Sequence, residues 1–144
     1  MKKLITIFAA VLLFTSITYS QEIGVRFGDA TGGNVAVDGV FALGQFSRVH
    51  GDISFGGNGV GIDLLWDFLY RPLGGEAFKW YAGVGPFFDI QDPFGLGVVG
   101  ELGLDYHFNG VPISISADWR PAFRIIENTS FSAGGFGLNI RYVF

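Results

Sequence analysis

Residues 60–71 read VGIDLLWDFLYR. Taken alternately, one set is Val60, Ile62, Leu64, Trp66, Phe68 and Tyr70, apolar or aromatic throughout. The other is Gly61, Asp63, Leu65, Asp67, Leu69 and Arg71, with three charges in six positions. Successive side chains of a β-strand point to opposite faces, so a period of two marks a strand with one apolar and one charged face.

The same split recurs from end to end. It runs through 22–28, 34–42, 47–55, 78–90, 96–108, 113–120 and the closing 135–144, and no segment carries a helical period. The gaps between these stretches hold turn residues: ATGGN at 30–34, LGQ at 43–45, GGNG at 56–59, RPLGGE at 71–76, QDPFG at 91–95, NG at 109–110 and IENTS at 126–130. Eight strands follow. Asn109-Gly110 suits a two-residue type I′ turn, which sets Phe108 opposite Val111, Asp105 opposite Ser114 and Glu101 opposite Asp118. The motif GLGVVG at 95–100 matches a dinucleotide fingerprint in letters but opens a strand rather than a helix, so it is read as chance.

The N-terminus has a different character. Lys2 and Lys3 precede an uncharged apolar run from Leu4 to Phe14, followed by TSITYS at 15–20. This is the layout of a cleaved export signal, with the cut placed after Ser20. The run is shorter than the roughly 20 apolar residues a spanning helix needs. Residues 21–144 then form one domain, with seven basic against 13 acidic residues and a net charge of −6. No basic stripe favours nucleic acid as a partner. There are no cysteines, so packing and backbone pairing must hold the domain together.

Eight such strands fit a soluble, lipocalin-like barrel with the apolar face inside, or a membrane barrel with it outside. Glycine favours the second: Gly24, Gly28, Gly61, Gly83, Gly85, Gly97, Gly103, Gly135 and Gly137 share the polar face, and the interior of an eight-stranded barrel is narrow. Aromatics on the apolar face gather in two belts, as the two bilayer interfaces favour. One belt holds Phe41, Tyr70, Phe78, Trp80, Tyr106, Phe108, Tyr142 and Phe144; the other holds Phe27, Phe55, Phe88 and Trp119, with Phe131 as a candidate fifth member. Trp66 stands apart, near mid-strand.

The closing GLNIRYVF, with Gly137, Ile140, Tyr142 and Phe144, resembles the C-terminal insertion signal of bacterial outer-membrane barrels. KWYAGVGPFFD at 79–89 and ISADWRPAF at 115–123 resemble small eight-stranded outer-membrane barrels of the Bacteroidetes type. The resemblance implies an all-β, up-and-down transmembrane barrel in a Gram-negative outer membrane, monomeric and without cofactor. Its partners are then membrane lipid and, during biogenesis, the barrel-assembly machinery.

The face assigned to the lumen is heavily charged. Arg26, Asp38, Arg48, His50, Asp52, Asp63, Asp67, Arg71, Glu101, Asp105, Asp118, Arg120 and Arg141 are expected to form a network there, with Glu22, Asp89, Lys79 and His107 on the same face. Enclosed charges must be paired, so a structural plug is the first reading. An ion path through the same residues is the alternative. A lipid-modifying enzyme built on His50 with Asp52 or a serine is a third, although no fixed spacing ties Ser114 or Ser116 to either histidine. Two histidines and scattered carboxylates show no metal-ligand spacing. Phe123, Arg124, Glu127 and Phe131 are the expected contact surface of the last outer loop.

Overall fold

The computed structural model describes residues 21–57, 59–75, 77–126 and 128–144. The expected export signal at 1–20 and Glu127 lie outside the described residues. The described chain is all β. Its strands are β1 (Gln21–Ala30), β2 (Gly33–Ala42), β3 (Arg48–Gly56), β4 (Gly59–Pro72), β5 (Phe78–Ile90), β6 (Gly95–His107), β7 (Ile113–Trp119), β8 (Ala122–Ile126), β9 (Ser130–Ser132) and β10 (Phe136–Val143).

These ten strands build eight staves. β7 and β8 both pair with β6 and form one stave, interrupted at Arg120-Pro121. β9 and β10 form the last stave, pairing with β8 and β7 in turn. β10 then pairs with β1, Val25 opposite Ile140, and closes an antiparallel barrel. Closure removes the unpaired edges that an open sheet would expose.

The faces divide as the alternation demands. Among the described residues, 18 polar or charged side chains are buried against six apolar ones, Ala36, Val40, Leu65, Tyr81, Phe87 and Val99. The large apolar side chains lie outside; Val37, Leu64 and Leu102 are each about half exposed in mid-strand. A lipocalin-like barrel needs the opposite arrangement. Inner-face glycines make room. A Cβ on Gly103 would run into the Tyr81 ring, and one on Gly137 into the Arg26 guanidinium. On the outer face, a Cβ at Gly51 would meet its nearest atoms at 3.8 Å, an ordinary contact.

Two expectations from the sequence are corrected. The first concerns β4. Trp66 lies opposite Val84 but Leu69 opposite Ala82, so one extra residue enters β4 between them. Such a bulge inverts the alternation beyond it. Tyr70 therefore turns inward instead of joining the aromatic belt, and Arg71 turns out of the lumen. Arg71 is exposed and stacks on the Phe46 ring, 3.6 Å from its centroid. The second concerns the 109–110 turn. Only Gly110 takes positive φ (78°), so the type I′ turn, which needs it at both centres, does not form. The Ile113 N–H donates to the Val111 carbonyl across Pro112, at 2.8 Å, and this tight turn takes up further residues. The register moves by two, setting Asp105 opposite Ser116 and Gly103 opposite Asp118. A shift of two keeps every side chain on its expected face.

Candidate functional site in the barrel lumen

The network assembles from residues far apart in sequence. At the mouth shared with Gln21, Glu22 accepts from Ser114 at 2.7 Å and lies 2.9 Å from His107 Nε2. Further in, Arg48 donates to Asp67 at 2.6 Å and to Asp105 at 3.1 Å. Its guanidinium sits between two rings, 4.3 Å from the centroid of Tyr70 and 4.2 Å from that of Tyr81. The bulge in β4 delivers the first of these rings.

His50 occupies the centre, fully buried. Its Nδ1 lies 2.7 Å from Glu101 and its Nε2 2.5 Å from Asp38. A ring facing two carboxylates satisfies both by donating from both nitrogens. Arg141 bonds the other oxygen of Asp38. Arg120 donates to Glu101 at 2.8 Å and to Asp52 at 2.5 Å, with Asp63 at 3.4 Å. Beyond it, Arg26 bonds both oxygens of Asp118 at 2.6 and 2.7 Å. Towards the second mouth, Arg124 donates to Asp89 at 2.8 Å.

Of the residues expected in the lumen, Arg26, Asp38, Arg48, His50, Asp52, Asp63, Asp67, Glu101, Asp105, Asp118, Arg120 and Arg141 are all buried there. Arg71 is not, for the reason given above. Tyr81 and Asn139 also belong to the network and were not expected in it, being uncharged; Ser114 and Ser116, weighed above only as partners of a histidine, join it too. Asn139 donates to Asp118 at 2.8 Å and to Ser116 at 2.9 Å, and the Tyr81 hydroxyl lies 3.2 Å from Asp118. Their place on the inward alternation was the available signal.

The residues singled out near the C-terminus divide between the faces. Ile140, Tyr142 and Phe144 point outward and exposed, while Gly137 faces the lumen against Arg26. Trp66 is exposed in mid-strand, but its indole N–H donates to Ser47 at 2.8 Å, so its polar group is satisfied. Arg124 is committed to Asp89, so of the expected loop contacts Phe123 and Phe131 remain exposed, paired across β8 and β9.

Among the described residues, three groups bring imidazole and carboxylate ligand atoms within 4.8 Å of one another: Glu22, Asp105 and His107; Asp38, His50 and Asp52; and His50, Asp67 and Glu101. Cross-lumen approach creates these groups, which no spacing along the chain reveals. Around His50, guanidinium nitrogens of Arg120 and Arg141 lie 3.2 and 3.0 Å from Nε2, and their charge opposes a metal cation there. The catalytic candidates are likewise engaged: Ser114 serves Glu22, Ser116 serves Asn139 and Arg141, and His50 serves two carboxylates.

The fold and lumen together define a closed eight-stranded antiparallel β-barrel with a charged, cross-linked interior. No protein-family model matches the chain, and neither a curated protein nor a solved structure does.

Proposed function

We propose that the chain is an integral outer-membrane barrel whose lumen is plugged by its own charge network, with a structural or surface-interaction role. The observation that carries this reading is the inverted burial: charged groups inside, and an apolar band outside from Ile23 to Tyr142. Apolar surface left in water forgoes about 25 cal/mol per Å² of burial, whereas lipid supplies that burial. Strands β4, β5 and β6, of 14, 13 and 13 residues, exceed the roughly 9–11 that a tilted spanning strand needs. Outer-face aromatics also pair near one rim: Phe78 with the half-buried Tyr106 at 4.7 Å between centroids, Tyr106 with Phe108 at 4.9 Å, and Tyr142 with Phe144 at 5.0 Å. Such belts suit a bilayer interface.

The test is fractionation of a Gram-negative host expressing the full chain, followed by gel migration with and without boiling. Recovery in the outer membrane with a heat-dependent shift is the expected result. Recovery as a soluble periplasmic protein without a shift refutes the reading. The plug further implies no conductance in planar bilayers. Steady current that changes on neutralising Asp67 or Glu101 would make the barrel a narrow channel instead.

A further inference from the structure

Register places three aspartates in a row across neighbouring strands. Asp38 lies opposite Asp52 on β2 and β3, and Asp52 lies opposite Asp63 on β3 and β4. Like charges directly opposite one another destabilise a sheet unless something compensates them. Asp38 is compensated by His50 and Arg141, and Asp52 by Arg120. Asp63 is served least. Among the described residues its one ion-pair partner is Arg120, at 3.4 Å, and Arg120 is already shared with Asp52, Glu101 and Asp118. Asp63 Oδ1 has no hydrogen-bond partner among the described residues, although the side chain is 3% exposed.

Asp63 also lines a cavity of about 230 Å³ at the mouth away from Gln21. Phe87, Val99 and Ala122 give that cavity an apolar wall, and Ser130 and Ser132 stand on its β9 side. The second cation on the wall, Arg124, is bonded to Asp89. A buried carboxylate short of donors, on the wall of a cavity beside hydrocarbon, calls for a ligand that carries both a cationic donor and an apolar part. A bare metal ion would match the carboxylate but leave the apolar wall without a partner.

We propose that this cavity binds a small primary amine, with the ammonium on Asp63 and the hydrocarbon chain against Phe87 and Val99. Two of the ammonium's three donors remain for water. The site depends on the barrel and its register, and holds whichever way the barrel is oriented.

The experiment is an NMR titration of the refolded barrel (21–144) in detergent micelles, with n-butylamine and its neutral isostere 1-butanol. Saturable shifts at Phe87 and Val99 with the amine, and none with the alcohol, are expected. Asp63→Asn should weaken amine binding at least tenfold. Ser132→Trp, which leaves the carboxylate in place and narrows the mouth, should weaken it as well; it also serves if Asp63→Asn fails to fold. Equal response to the alcohol, no saturable response, or undiminished binding in folded Asp63→Asn overturns the proposal. Saturation by calcium but not by the amine overturns it too, making the site a metal site. Failure here leaves the membrane reading intact, since fractionation does not depend on this cavity.

Discussion

Replacing Arg120 by methionine tests how the lumen is held together. The methionine keeps most of the volume and removes the charge. In the wild-type barrel the Arg120 guanidinium serves Glu101 at 2.8 Å and Asp52 at 2.5 Å, with Asp63 and Asp118 at 3.4 and 3.6 Å. All of these groups are buried, so water cannot take its place without opening the barrel. Removing one partner from a buried ion pair leaves an uncompensated charge and costs about 3–5 kcal/mol. Arg120 compensates more than one carboxylate, which places the expected loss at the upper end of that range. The assay is urea unfolding of the barrel in lipid vesicles, followed by the fluorescence of Trp66, Trp80 and Trp119. The double variant Arg120→Met/Glu101→Gln removes one orphaned charge along with its partner and should recover a substantial part of the loss, since residues in direct contact do not act additively. A loss below about 1 kcal/mol for the single variant, on the scale of an exposed pair, would refute the claim that this network is a dry, interlocked plug.

Other substitutions separate the two faces. Val37→Arg, outward in mid-strand, should cost about 2–4 kcal/mol in a bilayer, the penalty for Arg at the midplane, whereas a barrel in water would tolerate it. Folding yield into vesicles reads the difference. Gly103→Ala should destabilise by about 1–3 kcal/mol because its methyl meets the Tyr81 ring, and Gly51→Ala on the outer face should stay within about 0.5 kcal/mol. Arg71→Ala should leave the unfolding midpoint almost unchanged, while Arg48→Met should lower it strongly. Equal effects of those two arginine variants would refute the bulge in β4.

The alternation of residues determined most of the architecture. In VGIDLLWDFLYR and its counterparts the period of two separates charge from hydrocarbon, and twelve of the thirteen expected lumen residues lie inside. Alternation is a local property: each side chain's face follows from its neighbours' backbone geometry and needs no knowledge of the rest of the fold. The tertiary structure decided the rest. One extra residue between Trp66 and Leu69 exchanged Tyr70 for Arg71, and a single-residue bulge leaves no mark in composition. The turn around Pro112 moved the β6–β7 register by two, which changed who faces whom without changing which side anyone faces. The meeting of Arg26 with Asp118, 92 residues apart, and of His50 with Glu101, 51 apart, depends on how the sheet closes. So does the shortfall of positive charge at Asp63. Which side of a strand a residue occupies is settled over two residues of chain; what it touches across the lumen is settled by all eight staves at once.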